Sequence, residues 1–170
     1  RYVEKIAPRA QEIYHGISRG KEELSLSYAP SPRLPEGSSQ QDWIELFKTE
    51  LRRTEASDVR SGFTSVGPHR DDLEITLGGL SARMYGSQGQ QRSCVLALKL
   101  AEAALLAEAL GEKPVILLDD VMSELDASRQ DYLLNKIQGW QVFITCCDPN
   151  SISGLSQGRT FYVENGEIRE

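Results

Sequence analysis

Val115-Ile116-Leu117-Leu118 is a run of four apolar residues with no polar interruption, entered through Pro114 and left through Asp119-Asp120. A strand that faces water on one side alternates apolar with polar residues, so an unbroken run predicts a strand covered on both faces, as in parallel sheets. Val142-Phe143-Ile144 repeats the pattern, and between the two runs Leu133, Ile137 and Trp140 fall on one helical stripe. Strand, helix, strand in that order is a βαβ unit with a right-handed crossover. The expected fold class is α/β: a mainly parallel sheet with flanking helices, accompanied by β-hairpins.

The rest of the chain supplies those helices and hairpins. Val3, Ile6, Ala10, Ile13 and Ile17 recur at three-and-four spacing and predict a helix that runs through Pro8. Leu24, Leu26 and Tyr28 alternate with serines as a half-buried strand, and Pro30, Pro32, Pro35 and Gly37 then mark a loop. Trp43, Ile44, Phe47 and Leu51 share one face of a second helix. Leu73, Ile75 and Leu77, a Gly78-Gly79 turn, and Leu80, Ala82 and Met84 on return predict a β-hairpin. A long helix is expected from about Gln88 to Leu110, stopped by Gly111; its Val95, Leu96, Leu98, Leu100, Leu105 and Leu106 nearly encircle it and predict burial. Asn165-Gly166, between Phe161-Tyr162-Val163 and Ile168, signals a type I′ hairpin.

Composition excludes several function classes. At 170 residues, 39% hydrophobic and 26% charged, the chain suits one globular domain or one domain with an appendage. No apolar span of membrane length and no signal peptide is present, so a soluble intracellular protein is expected. Cys94, Cys146 and Cys147 fit neither a disulfide framework nor a zinc pattern, which points to a reducing compartment. His15 and His69 have no partners at ligand spacing. A formal net charge of −6 excludes coating nucleic acid by bulk attraction, so any DNA contact must be a local patch. Arg52, Arg53, Arg60, His69 and Arg70 are the densest basic neighbourhood, although charge alone reads as a solvated surface.

Three segments carry chemistry. Asp119 and Asp120 stand at the carboxyl end of a buried strand, where open α/β sheets place ligands. Consecutive strand side chains point to opposite faces, so the pair is expected to divide labour, one holding Mg²⁺ and the other near the attacking water of a phosphoryl transfer. A bare Asp-Asp that merely opens a polar loop is the plainer alternative. Gly86-Ser87-Gln88-Gly89-Gln90-Gln91 opens the long helix, where Ser87 and Gln90 make a capping box. Capping leaves Gly89 unexplained, because Gly costs roughly 1 kcal/mol relative to Ala in a helix. A helix N-terminus with free amides and a missing side chain admits phosphate. Ser123-Glu124-Leu125-Asp126 follows the carboxylates, with Asp126 as a reasonable N-cap.

In that order and separation, Ser87-Gln88-Gly89-Gln90-Gln91, Val115 to Asp120 and Ser123 to Asp126 resemble the signature, Walker B and D-loop series of ATP-binding cassettes. Within that superfamily the chain is most similar to the RecF family of bacterial recombination-repair proteins, in the SMC-like group, through Gly67-Pro68-His69-Arg70-Asp71-Asp72 and the Ser-Gln-Gly-Gln-Gln signature. The resemblance implies that residues 62–170 are the C-terminal part of an ATPase lobe and residues 1–61 part of an inserted helical lobe. It implies Asp119 as the magnesium carboxylate and Asp120 as the general base. It implies that Ser87, Gly89, Gln90 and Gln91 meet ATP held by a second copy, and that Asp126 communicates across the dimer. The implied setting is cytoplasmic and nucleoid-associated: an ATP-dependent homodimer on duplex DNA or single-strand/double-strand junctions, with RecR and recombinase-loading partners and no membrane. The usual switch histidine is replaced by Thr145-Cys146-Cys147, which weakens a transporter reading and leaves Thr145 or a neighbour for that contact. Gly16 to Glu22 imitates a phosphate-binding loop but has three residues between its glycines, Glu22 for the Ser or Thr, and no preceding strand. The chain is accordingly expected to be a C-terminal fragment inactive by itself. A docking lobe without chemistry is the rival from another class.

Overall fold

The computed structural model describes residues 2–35, 37–155 and 157–169, so Arg1 and Glu170, which bound the two expected segments, lie outside the described residues. Helix α1 (Tyr2–Ser18) forms despite Pro8 and buries Ile6, Ala10, Ile13, Tyr14 and Ile17 along one stripe. Strand β1 (Leu24–Ala29) pairs antiparallel with β2 (Asp72–Leu77), with Leu24 opposite Leu77. Between them in sequence stands α2 (Gln40–Ser61), opened by a capping box of Ser39 with Asp42 and closed by Gly62 in the left-handed conformation. The expected apolar face of α2 is present and half-covered: Trp43 and Phe47 are half-buried, Ile44 and Leu51 are exposed, and none of the residues of α2 is fully buried.

The return strand of the expected hairpin is cut short. Strand β3 is only Leu80–Ser81, and Ala82–Tyr85 turn into the short helix α3, closed by the Gly86 amide donating to the Ala82 carbonyl at 3.0 Å. Apolar residues at 80, 82 and 84 match a strand period, but Ala, Arg and Met are also good helix formers. The Gln91 side-chain amide decides between them by donating to the carbonyls of Ala82 and Gly86, groups that a longer ladder would need.

Helix α4 (Gln88–Leu110) has the expected limits, with a Ser87–Gln90 capping box and Gly111 at φ 75°. It is not encircled by the core. Cys94, Leu96, Ala97, Leu100 and Ala101 are buried, whereas Val95 is 57% and Leu106 45% exposed. The buried side packs chiefly on α1, where Ala10, Ala97 and Ala101 are fully buried small residues that permit close helix approach.

Strand β4 (Ile116–Asp119), helix α5 (Ala127–Lys136) and strand β5 (Val142–Thr145) follow, and the two strands pair in parallel. One face of this pair, with Leu118, joins the core; on the other, Leu117 is 74% and Phe143 58% exposed. The expectation of two covered faces therefore holds for one, because no element among the described residues packs over Leu117 and Phe143. Strands β6 (Tyr162–Glu164) and β7 (Glu167–Arg169) form the final hairpin around Asn165 and Gly166, both at positive φ as a type I′ turn requires. The fold is mixed α/β, with a parallel pair, an antiparallel sheet ordered β1-β2-β3, and flanking helices. No helix among the described residues is long and apolar enough to cross a membrane.

Gly16 lies in the last turn of α1, where a Cβ would come within 2.1 Å of the Tyr132 ring. Its glycine admits α5, and the apparent phosphate-loop spacing is a helix end.

Candidate functional site

Asp119 is the last residue of β4 and sits opposite Thr145, the last of β5. The Thr145 hydroxyl donates to Asp119 Oδ1 at 2.5 Å and accepts from the Asp120 amide at 3.0 Å. Thr145 thus joins the backbone of one carboxylate residue to the side chain of the other. Asp120 has already left the strand: its φ of 50° is left-handed, a conformation that Asp tolerates better than most residues. This turn, not strand alternation, separates the two side chains. A 3-10 turn, Val121–Glu124, follows, with the Ser123 hydroxyl donating to the Asp120 carbonyl at 2.8 Å and Met122 fully buried as its anchor. Both carboxylates are exposed.

At the tip of α4, exposed Ser87 accepts the Gln90 amide on its hydroxyl oxygen at 3.3 Å, and the Ser87 amide donates to Gln90 Oε1 at 2.7 Å. The other end of the Gln90 side chain donates to Glu22 Oε1, and Glu22 Oε2 accepts the Tyr14 hydroxyl at 2.7 Å. Gln91 points its amide at the carbonyls around α3, so it braces the loop before the tip. Gly89 is overlain by Arg129: a Cβ there would be 2.9 Å from Arg129 Nη1.

Arg129 belongs to α5, whose N-cap is Asp126; Asp126 Oδ1 accepts the Arg129 amide at 3.0 Å. Arg129 Nε also lies 3.5 Å from Asp126 Oδ2. Arg92, in the first turns of α4, pairs with Glu124 at 3.1 Å. Among the described residues no hydrogen bond or ion pair joins Ser87 or Gln90 directly to Asp119 or Asp120. Arg92 of α4 pairs with Glu124 beyond the carboxylates, and the Arg129 side chain lies beside Gly89 and near Asp126. Sequence reading gave no site role to Glu22, Tyr14 or Arg129; the signal at Glu22 was its place in the false phosphate-loop spacing.

Cys94 sits one turn beyond Gln90 and is 1% exposed. Burial first, then the negative charge of Glu22, pushes its thiol up to about 11, against a smaller opposing effect of the Tyr14 hydrogen bond. The neutral thiol, not the reactive thiolate, is therefore the favoured form of Cys94 at pH 8. Maleimide labelling with peptide mapping at pH 8 is expected to modify exposed Cys147 quickly and Cys94 only after denaturation. Equal rates at the two sites would contradict the packing described for α4.

No family model matches the chain. It is 44% identical over 168 residues to the DNA replication and repair protein RecF of Heliobacterium modesticaldum, a match covering 96% of this chain and 45% of that protein. It is 42% identical to RecF of Clostridium acetobutylicum, covering 100% of this chain and 46% of that protein. The chain therefore spans less than half the length of the curated relatives it matches. Among solved structures, the recombination mediator protein RecF-ATP in the RecFOR pathway superposes with a TM-score of 0.75 at 38% identity, over 99% of this chain and 44% of that one. A structure from a study of ATP-driven dimerization and DNA-stimulated activation of SMC ATPases matches at TM-score 0.57 and 15% identity, over 99% of this chain and 83% of that one, which shows a shared fold.

Proposed function

We propose that this chain, a RecF-family sequence along its whole length, contributes the signature and Walker B half of a composite ATP site in a homodimer that binds DNA. The observation that supports this reading most is the presence of two exposed groups, the Ser87 tip and the Asp119–Asp120 carboxylates, with no hydrogen bond or ion pair between them among the described residues. Two sites separated in one copy can each meet nucleotide held across an interface, so ATP would join the copies and hydrolysis would release them.

In this reading Asp119 holds Mg²⁺. No group of three or more His, Cys, Asp or Glu residues among the described residues could hold a metal alone. One carboxylate completed by phosphate oxygens is the arrangement that fits, and it is how Mg²⁺ is commonly held at nucleotide sites. The bound ion would neutralise charge on the phosphates. Asp119, its carboxylate fixed by the Thr145 hydroxyl, would hold the ion. Asp120 takes the proton of the attacking water. Ser87 and the first amides of α4 would bind the γ-phosphate of a nucleotide carried by a second copy. Gln90 acts by orienting the tip, since both ends of its amide are engaged, and Gln91 by bracing it. Gly89 leaves room for Arg129 of α5 beside the tip, and Asp126 caps the same helix, so displacement at the tip would reach α5 and the D-loop.

DNA contact falls to the basic neighbourhood of Arg52, Arg53, Arg60, His69 and Arg70, on and after α2, none of whose residues is fully buried. Duplex DNA or a single-strand/double-strand junction is the proposed ligand, with RecR and recombinase-loading proteins as partners in the cytoplasm. A boundary near residue 61 is best drawn around α2, because α1 and β1 pack on elements after it. The alternative, a docking lobe without chemistry, is favoured by exposed Leu117 and Phe143. It gives the Thr145 clamp on Asp119 no purpose.

Calorimetry of this chain alone with ATP and Mg²⁺ separates the readings of its own residues from a complete site. The expected result is a Kd weaker than about 1 mM, that is, less than roughly 4 kcal/mol of binding. Micromolar binding would mean that a complete nucleotide site lies within these residues and that the motif assignment is wrong.

A further inference from the structure

We propose that Glu22, in the connection between α1 and β1, is a positioning residue that sets the orientation of the nucleotide-facing tip of α4 by fixing the Gln90 amide. This rests on the functional reading given above and adds a residue to it.

An amide side chain can present either its oxygen or its NH₂ group to a given neighbour, whereas an ionised carboxylate only accepts. Glu22 Oε1 therefore draws the Gln90 NH₂ toward itself. Gln90 Oε1 is then left facing the Ser87 amide, which donates to it at 2.7 Å. With that amide satisfied, the Ser87 oxygen accepts the Gln90 backbone N–H at 3.3 Å, and the hydroxyl hydrogen remains for a phosphate oxygen. Glu22 is itself fixed from the core: its Oε2 accepts from Tyr14 at 2.7 Å, and Tyr14 is 1% exposed in α1. Donors thus converge on the Glu22 carboxylate, from Tyr14 in the core of α1 on one side and, on the other, from the Gln90 amide that in turn accepts from Ser87, with 68 residues of sequence between Glu22 and Gln90. Ordinary capping needs only Ser87 and Gln90. The carboxylate behind them supplies direction, since it removes the flipped state of Gln90 in which NH₂ would face the Ser87 amide.

The test uses the longer protein that carries this sequence, with dimerisation constants in ATP from analytical ultracentrifugation and melting temperatures from calorimetry. Glu22→Gln keeps the shape but can present NH₂ to Gln90 and so permits the flip. It is expected to weaken the ATP-dependent dimer roughly ten-fold, the scale of one charge-assisted hydrogen bond, while ATP affinity of the monomer and melting temperature stay unchanged. In a Gln90→Ala background the same substitution should add almost nothing. Tyr14→Phe should weaken the dimer in the same direction by a smaller factor, and it serves if Glu22→Gln folds poorly. An unchanged dimer constant, or an equal loss with and without Gln90, would overturn the role of Glu22. Absence of ATP-dependent dimers in the unsubstituted protein would instead remove the functional reading on which it stands.

Discussion

Asp120→Asn, made in the longer protein, is expected to retain ATP-dependent dimers and to lower turnover at least about 100-fold, equivalent to roughly 2.7 kcal/mol in the barrier. The substitution is close to silent structurally. Among the described residues the Asp120 side chain makes no hydrogen bond; its amide and carbonyl hold the turn through Thr145 and Ser123. Its left-handed backbone suits Asn as well as Asp. What Asn lacks is the capacity to take a proton from water, so loss of hydrolysis without loss of assembly isolates that one property. Steady-state phosphate release alongside sizing in ATP makes the comparison. Turnover equal to the unsubstituted protein would remove Asp120 as the base.

Local chemistry made much of this arrangement readable from residues alone. The limits of α4 follow from Ser87 and Gly111, each of which acts on its own neighbours, and the Asn165-Gly166 turn is equally local. The carboxylates at the end of β4 were legible because an apolar run ending in Asp-Asp is a short-range pattern. What stayed hidden depends on pairing across distance. Thr145 faces Asp119 through a register that only the packed β4–β5 pair defines, and Glu22 reaches Gln90 through the docking of α1 on α4. Leu80, Ala82 and Met84 satisfied two periods, and the Gln91 amide chose the helical one. The exposed face at Leu117 was misjudged for a different reason: an apolar run tells which faces seek a partner, not whether these residues supply it.

Ser87→Asp separates capping from nucleotide recognition. Asp is as good an N-cap as Ser and favours the helix dipole, so a purely structural role predicts an unchanged or slightly more stable α4. If the tip meets a γ-phosphate, the same carboxylate stands against negative charge at contact distance, where repulsion at an effective dielectric near 20 is about 4 kcal/mol and weakens binding at least roughly 100-fold. The most direct measurement is sedimentation velocity in ATP and Mg²⁺ of two forms of the longer protein, Asp120→Asn and Ser87→Asp/Asp120→Asn, at equal concentration. The composite site predicts a dimer for the first and a folded monomer for the second. A dimer from both would contradict it.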